Sequence, residues 1–147
     1  SGGLQGEWGS KGTRSGKFDE PVGIAAGPNG HIYVADTGNK RIQVFESSEP
    51  YRCVAVWNVP GWSLLTSEPY LAFGPDNCLY ATDAGSGRIL RFSPDGQKAD
   101  IYSLPPGGGA ELTRPTGIAV ASDGTIFVSD RERAQILKVR PVEISEQ

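Results

Sequence analysis

The chain has 147 residues, with 14 basic and 17 acidic side chains, one histidine and a net charge of −3. This length suits one domain with its own core, and the acidic balance excludes the strongly basic field of a general nucleic-acid binder. A hydrophobic share of 37% with 20 Gly and 11 Pro favours short strands and tight turns, and no apolar run is long enough to insert this segment into a membrane.

The first three residues are interpreted as foreign to the natural protein, and the next six as a strand. Residues 1–3, Ser-Gly-Gly, resemble a cloning remnant, and the absence of Met agrees with a piece excised from a longer protein. Residues 4–9, LQGEWG, are predicted to form a short outer strand. A polar, glycine-rich connection follows at residues 9–21.

The next stretch, PVGIAAGPNGHIYVADTGNKRIQVF at residues 21–45, is read as strand, turn, strand, turn, strand. Asn29-Gly30 is a typical hairpin turn, and apolar residues alternate along the second strand. The same pattern recurs at residues 69–92 and 115–139. Its closing aspartates stand at 36, 83 and 130, at a constant spacing of 47 residues.

A period of this length, built from short strands, predicts the blades of an all-β propeller. We assign residues 1–147 to one propeller segment with three four-stranded blades, at about 21–59, 69–104 and 115–147. Because propellers typically have about four to eight blades, three would form half of a six-bladed ring.

Two arrangements would complete the ring. Either further blades belong to a longer chain, or two copies pair. In the second case each copy lends residues 4–9 to the free edge of the other's third blade, since an unpaired edge strand is a liability. We predict such a homodimer.

The repeat resembles the NHL repeat, approximately P-x-G-[IV]-A-x5-G-x-[IV]-Y-V-[AS]-D followed by a basic and an apolar position. The first copy matches closely, and the third keeps Pro115, Gly117 and Asp130. The second copy lacks the glycine after its proline and is one residue shorter before Tyr80. The resemblance implies a propeller but selects no function, because NHL propellers include RNA-binding domains, peptide-processing lyases and ligand-sensing ectodomains.

A second stretch, VAVWNVPGWSLLTSEPYLAF, is similar to the C-terminal NHL segments of bacterial multi-spanning membrane proteins related to glycosyltransferases. This resemblance implies that the parent protein is membrane-bound and that this segment faces outside the cytoplasm.

The recurrent acidic residues are interpreted as structural. Each ends the second strand of its repeat, and a basic residue follows five positions later in the first two repeats. A carboxylate there can accept hydrogen bonds from the turn and pair with the arginine, whereas calcium needs about six to eight oxygens in one place. The structural repeat positions are therefore Asp36, Arg41, Asp83, Arg88 and Asp130.

The remaining reactive side chains form no catalytic or metal-binding motif. Cys53 and Cys78 suit buried packing, or a disulfide bridge if the domain is exported. His31 is the only histidine and has no partner in a recognisable triad, and residues 107–109 lack the Lys-Ser/Thr of a phosphate loop. We predict no catalytic residue, no metal and no cofactor.

A binding face is predicted where the long connections lie. In a blade whose strands are called a to d from the axis outward, the d–a loops and b–c turns emerge on one face, where binding residues concentrate. The d–a loops are residues 9–21, 60–69 and 105–115. The candidate residues on this face are Lys11, Arg14, Lys17, Lys40, Trp62, Arg114, Arg131 and Arg133.

These basic residues could bind RNA phosphates, anionic glycans or an acidic protein. Glutamates on the same face leave a mixed, solvated surface as the alternative. Trp62 could stack on a base or sugar, or pack back over the blade edge with Leu64 and Leu65.

The predicted function is a non-catalytic binding or protein-interaction module. Two alternatives stay open: a propeller face that binds RNA or an anionic glycan, and a fragment of a lyase or lactonase-type propeller enzyme. The acidic balance disfavours nucleic acid, and the single histidine disfavours the enzymes, which hold metals with several side chains in their central channel. A protein or glycan ligand is expected.

Overall fold

The computed structural model describes residues 1–103 and 111–140, and their regular structure is almost entirely strand. Two three-residue 3-10 helices, Thr37–Asn39 and Ala84–Ser86, follow the second strand of the first two blades. The strands are β1 (Pro21–Ala26), β2 (Ile32–Asp36), β3 (Arg41–Phe45), β4 (Cys53–Asn58), β5 (Leu71–Phe73), β6 (Leu79–Asp83), β7 (Arg88–Phe92), β8 (Ala99–Tyr102), β9 (Pro115–Val120), β10 (Ile126–Asp130) and β11 (Gln135–Val139).

The strands form three antiparallel sheets in chain order: β1 to β4, β5 to β8, and β9 to β11. In each sheet the second and third strands are paired so that the recurrent aspartate faces the residue five positions later, as in Asp36 with Arg41. The prediction of an all-β fold built from propeller blades is confirmed. Residues 104 and 141–147, which the sequence assigned to the ends of the second and third blades, lie outside the described residues.

Residues 4–9 form no strand within this chain, and the outer strand that they would form against another copy stays a prediction. They lie over the first blade, where the Trp8 ring stacks on Tyr51 at 4.4 Å between centroids and packs on Phe45 at 5.8 Å. Their predicted partner is β11, the outermost strand of the third blade within residues 111–140, and it would come from another copy. Exchange of this segment between two copies stays a prediction.

The core consists of two apolar layers between successive blades. In the first layer, Ile42 from the first blade and Leu79 from the second are fully buried. In the second layer, Ile89 and Ile126 occupy the same relation between the second and third blades. Alternation along each strand therefore supplies one apolar face to each neighbour, and this burial drives the stacking of blades.

Cys53 and Cys78 are both free thiols in this structure, so they do not form the disulfide bridge that was the alternative prediction. Cys53 Sγ lies 3.4 Å from the Ala55 carbonyl oxygen within the first blade. Cys78 is buried in the second core layer, where burial raises the pKa of its thiol. Each side chain packs in its own blade, and the two have different surroundings.

Among the described residues there is no helix whose length and apolar character would let it cross a membrane.

We predict that Leu79→Ala lowers the free energy of unfolding by about 2–5 kcal/mol, because it leaves a cavity between the first two blades. Leu65→Ala is the matched control, because Leu65 is 84% exposed, and should change that free energy by less than about 0.5 kcal/mol. Urea unfolding followed by tryptophan fluorescence measures both. Equal losses in the two variants would contradict a core placed between the blades.

Candidate binding face

Asp36 is the centre of the first b–c hairpin and has no solvent exposure. Its Oδ1 accepts the backbone N–H of Asp19 at 2.7 Å. Its Oδ2 accepts from three side chains: Arg41 Nε at 2.7 Å, Asn39 Nδ2 at 2.9 Å and Gln43 Nε2 at 3.0 Å. A buried carboxylate is tolerated only when such charge-assisted bonds replace its hydration.

The same side chains hold the first d–a loop through its backbone. Arg41 donates from Nη1 and Nη2 at 2.9 Å to the carbonyl oxygens of Thr13, Arg14 and Lys17. Gln43 donates to the Lys17 carbonyl at 2.7 Å and accepts the Gly16 N–H at 2.8 Å. Asn39 donates to the Gly12 carbonyl at 2.8 Å. The loop is thus fixed by its main chain, which leaves its basic side chains in solvent.

Four of the predicted basic residues come together on this loop and the adjoining turn. They are exposed and form no salt bridge within residues 1–103 and 111–140; Lys17 Nζ donates to Ser10 Oγ at 2.6 Å. We call this set, Lys11, Arg14, Lys17 and Lys40, the basic cluster. An open groove of about 360 Å³, lined by residues 9–11 and 18–21, lies beside it and includes the carboxylates of Asp19 and Glu20.

The other predicted basic residues are tied to protein groups. Glu68 Oε2 lies 3.2 Å from Arg114 Nη2 and 3.8 Å from Arg131 Nη1. Arg133 donates to Gln135 Oε1 at 3.0 Å and to the Glu111 carbonyl at 3.2 Å. The eight predicted residues therefore do not act as one surface.

Trp62 does not belong to the binding face, because its side chain is 1% exposed and packs in the first core layer. Leu64 and Leu65 are 46% and 84% exposed, so they do not accompany it into the core. Burial of the large indole outweighs any surface role, and stacking on a base or sugar is excluded in this arrangement.

Asp130 repeats the role of Asp36 without an arginine. It accepts the backbone N–H groups of Thr113 at 2.7 Å, Arg114 at 3.1 Å and Arg133 at 3.1 Å. Burial raises the pKa of the Asp130 carboxyl, but these N–H donors favour its charged form and hold the pKa below the ordinary 3.8.

Asp83 differs from both. It accepts Arg88 Nε at 2.8 Å through Oδ2, whereas its buried Oδ1 has no hydrogen-bond partner among the described residues. In the other blades one carboxylate oxygen of the aspartate receives the N–H of the residue 17 positions earlier. The corresponding residue here, Thr66, donates instead to the Ser63 carbonyl at 3.3 Å, because the second d–a loop turns back on itself.

Two functional side chains, Asn39 and Gln43, were not identified from the sequence. Gln43 is fully buried at a position that is Leu90 in the second repeat and Leu137 in the third. A single polar residue at an otherwise apolar repeat position was the available signal. It marks the blade whose loop is held by side-chain amides.

In the part of the chain that the structure describes, no three His, Cys, Asp or Glu side chains form a group that could hold a metal ion. His31 lies in the first a–b turn, on the face opposite to the d–a loops, with Nδ1 at 3.1 Å from Asn29 Nδ2.

We predict that Gln43→Leu loosens the first d–a loop, since the Gly16 N–H loses its partner and the Lys17 carbonyl keeps only its bond from Arg41. The free energy of unfolding should fall by about 1–3 kcal/mol. Trypsin should cut after Lys11, Arg14 and Lys17 roughly tenfold faster. This factor corresponds to a decrease of about 1.4 kcal/mol in the free energy needed to open the loop locally. Gln97→Leu, at an exposed c–d turn, is the control. Unchanged cleavage in Gln43→Leu would show that the amide does not hold the loop.

We predict that Asp130→Asn lowers the free energy of unfolding at neutral pH. In this variant the free energy of unfolding should also fall less steeply as the pH is lowered. A carboxyl with a lowered pKa in the folded state stabilises the protein above 3.8, and that contribution is lost as the pH falls through the folded pKa. Urea midpoints between about pH 7 and pH 2 measure this slope. Glu132→Gln, at an exposed neighbouring carboxylate, should leave the slope as in the unmodified chain; a parallel curve for Asp130→Asn would contradict the assignment.

Comparison with solved structures places the fold among β-propellers. A streptogramin B lyase is 24% identical over 88% of this chain and 42% of its own, with a TM-score of 0.59. Virginiamycin B lyase from Staphylococcus aureus is 22% identical over 84% and 42%, also at 0.59. A gluconolactonase-like protein is 17% identical over 86% and 47%, at 0.62. The chain thus spans less than half the length of these structures.

Sequence comparisons identify the repeats themselves. The B-box type zinc finger protein ncl-1 of Caenorhabditis elegans is 44% identical over 46 residues, which are 31% of this chain and 5% of that protein. The family model of the NHL repeat matches residues 18–45 and 112–139, the first and third repeats. The chain therefore carries NHL repeats at these two sites, and its second repeat folds as the same kind of sheet between them.

Proposed function

We propose that this chain is a non-catalytic protein-interaction module, in which the basic cluster binds an acidic segment of a partner protein. The observation that supports this proposal is the combination of a clamped loop with four cations that have no acidic partner among the described residues. Elsewhere on the same face, the arginines nearest Glu68 are already paired.

The hydrogen bonds that hold the first d–a loop favour binding, because the loop is ordered before the ligand arrives. Arg41, Gln43 and Asn39 fix the main chain, so little backbone entropy is lost on association. The basic side chains stay on flexible stems and can reach separate carboxylates. Such a surface suits an extended acidic segment better than a compact small molecule.

The net charge of −3 does not oppose this proposal. At physiological ionic strength the Debye length is about 8 Å, so a ligand at the loop responds to nearby charges rather than to the whole chain. The acidic residues that line the adjoining groove are Asp19 and Glu20, against the four cations of the basic cluster. The local balance is positive.

The position of the sole histidine supports a module without catalysis. His31 lies on the opposite face from the groove, within hydrogen-bond distance of an amide rather than of a nucleophile. The lyase and gluconolactonase-like names belong to proteins that share the fold at 17–24% identity. Fold alone does not carry an activity from one protein to another.

The test measures binding of a fluorescein-labelled polyglutamate peptide by anisotropy at low and physiological salt. We expect the variant Lys11→Ser, Arg14→Ser, Lys17→Ser to bind roughly tenfold more weakly. Each exposed charge pair contributes up to about 1 kcal/mol and 1.4 kcal/mol corresponds to tenfold. The control variant Arg52→Ser, Lys98→Ser, in exposed c–d turns of the opposite face, should bind like the unmodified chain.

Heparin and a single-stranded RNA are measured beside the peptide. Binding of either one without binding of polyglutamate would show that the ligand class is wrong. No binding of any polyanion at low salt, or an equal loss in the control variant, would overturn the role of the basic cluster.

A further inference from the structure

The interface between blades repeats along the chain and then stops. Tyr33 and Ile42 of the first blade are 4% and 0% exposed against the second blade, and Tyr80 and Ile89 of the second are equally buried against the third. Their equivalents 47 residues further on, Phe127 and Ile136, are 38% and 70% exposed. The third blade therefore presents the first half of an interface with nothing packed on it in this chain.

The first blade presents the second half. Leu71 and Ile118 are the inner-strand residues that pack against the preceding blade in the two core layers. Their equivalent in the first blade, Ile24, is 63% exposed, and Val22 beside it is 39% exposed. One chain thus has both halves of the same repeated contact, at its two ends.

Residues 4–9 occupy the place of an outer strand from a preceding blade. Between the first two blades, Trp57 of strand β4 packs on Phe92 at 5.9 Å between ring centroids. Trp8 packs on Phe45, the equivalent of Phe92, at 5.8 Å. Strand β11, the outermost described strand of the third blade, has no further strand beside it within residues 111–140.

We infer that two copies of this chain close one six-bladed ring. Phe127 and Ile136 of each copy pack on Ile24 of the other, and residues 4–9 pair with the other copy's β11. The occupant is a second copy because each open half already matches the other within one sequence. A two-fold arrangement of three blades each closes without leaving an edge.

The experiment is light scattering coupled to gel filtration on the full chain. The unmodified protein should have a mass of about 31 kDa, twice the 15.6 kDa of one chain. Ile136→Lys and Ile24→Asp should each reduce the mass to that of the monomer. Both positions are exposed in one chain, so folding is expected to persist and is checked by circular dichroism.

Two further variants make the assignment specific. Ile136→Lys and Ile24→Asp combined in one chain should restore the dimer, because the new charges then face each other across both interfaces. Leu65→Lys, at an exposed apolar residue of the second d–a loop, should remain dimeric.

A monomer of the unmodified chain at every concentration would overturn the inference, and further blades of a longer chain would then be the candidates for these faces. A dimer that survives both Ile136→Lys and deletion of residues 1–8 would overturn it as well, because the contact would use another surface.

Discussion

The buried carboxylate of Asp36 is the interaction on which the first blade and its loop depend. Four donors converge on it, from the d–a loop, the b–c turn and strand β3. Hydrogen bonds to a charged group contribute about 1.5–3 kcal/mol each, and an unpaired buried carboxylate would be strongly destabilising. The loop and the hairpin are therefore coupled, and neither keeps its conformation without the other.

Each of the three blades buries an aspartate at its b–c hairpin, and the hydrogen-bond donors to that aspartate differ between blades. Asp36 uses one arginine, two side-chain amides and one backbone N–H, whereas Asp130 uses backbone N–H groups. Asp83 has one arginine, and its other oxygen has no partner among the described residues. Burial is nearly complete at all three positions. The free energy of each hairpin thus depends on the loop beside it, although the hairpins share one backbone geometry.

Much of the fold could be predicted because it rests on local, periodic signals. The 47-residue spacing, the hairpin turns and the alternation of apolar residues specify blades, and the carboxylate–arginine pairing follows from spacing within one hairpin. The fate of Trp62 could not be predicted, since an indole in a long loop can face either solvent or core. The strand at residues 4–9 stays a prediction, because its strand character depends on an edge that a single chain does not bring near it.

The binding surface could be only partly predicted, because loops take their conformation from distant donors. Charge counting placed Arg114 and Arg131 with the lysines, but both arginines lie beside the single carboxylate of Glu68, which offsets one of their two positive charges. Gln43 had the opposite effect: a polar residue at a core position freed the basic side chains of its loop by binding the main chain instead. Residues that follow the repeat pattern pack in the core layers or form hydrogen bonds within the hairpins. The proposed binding of a partner depends on positions where the repeat is broken, Asn39 and Gln43 within the first blade.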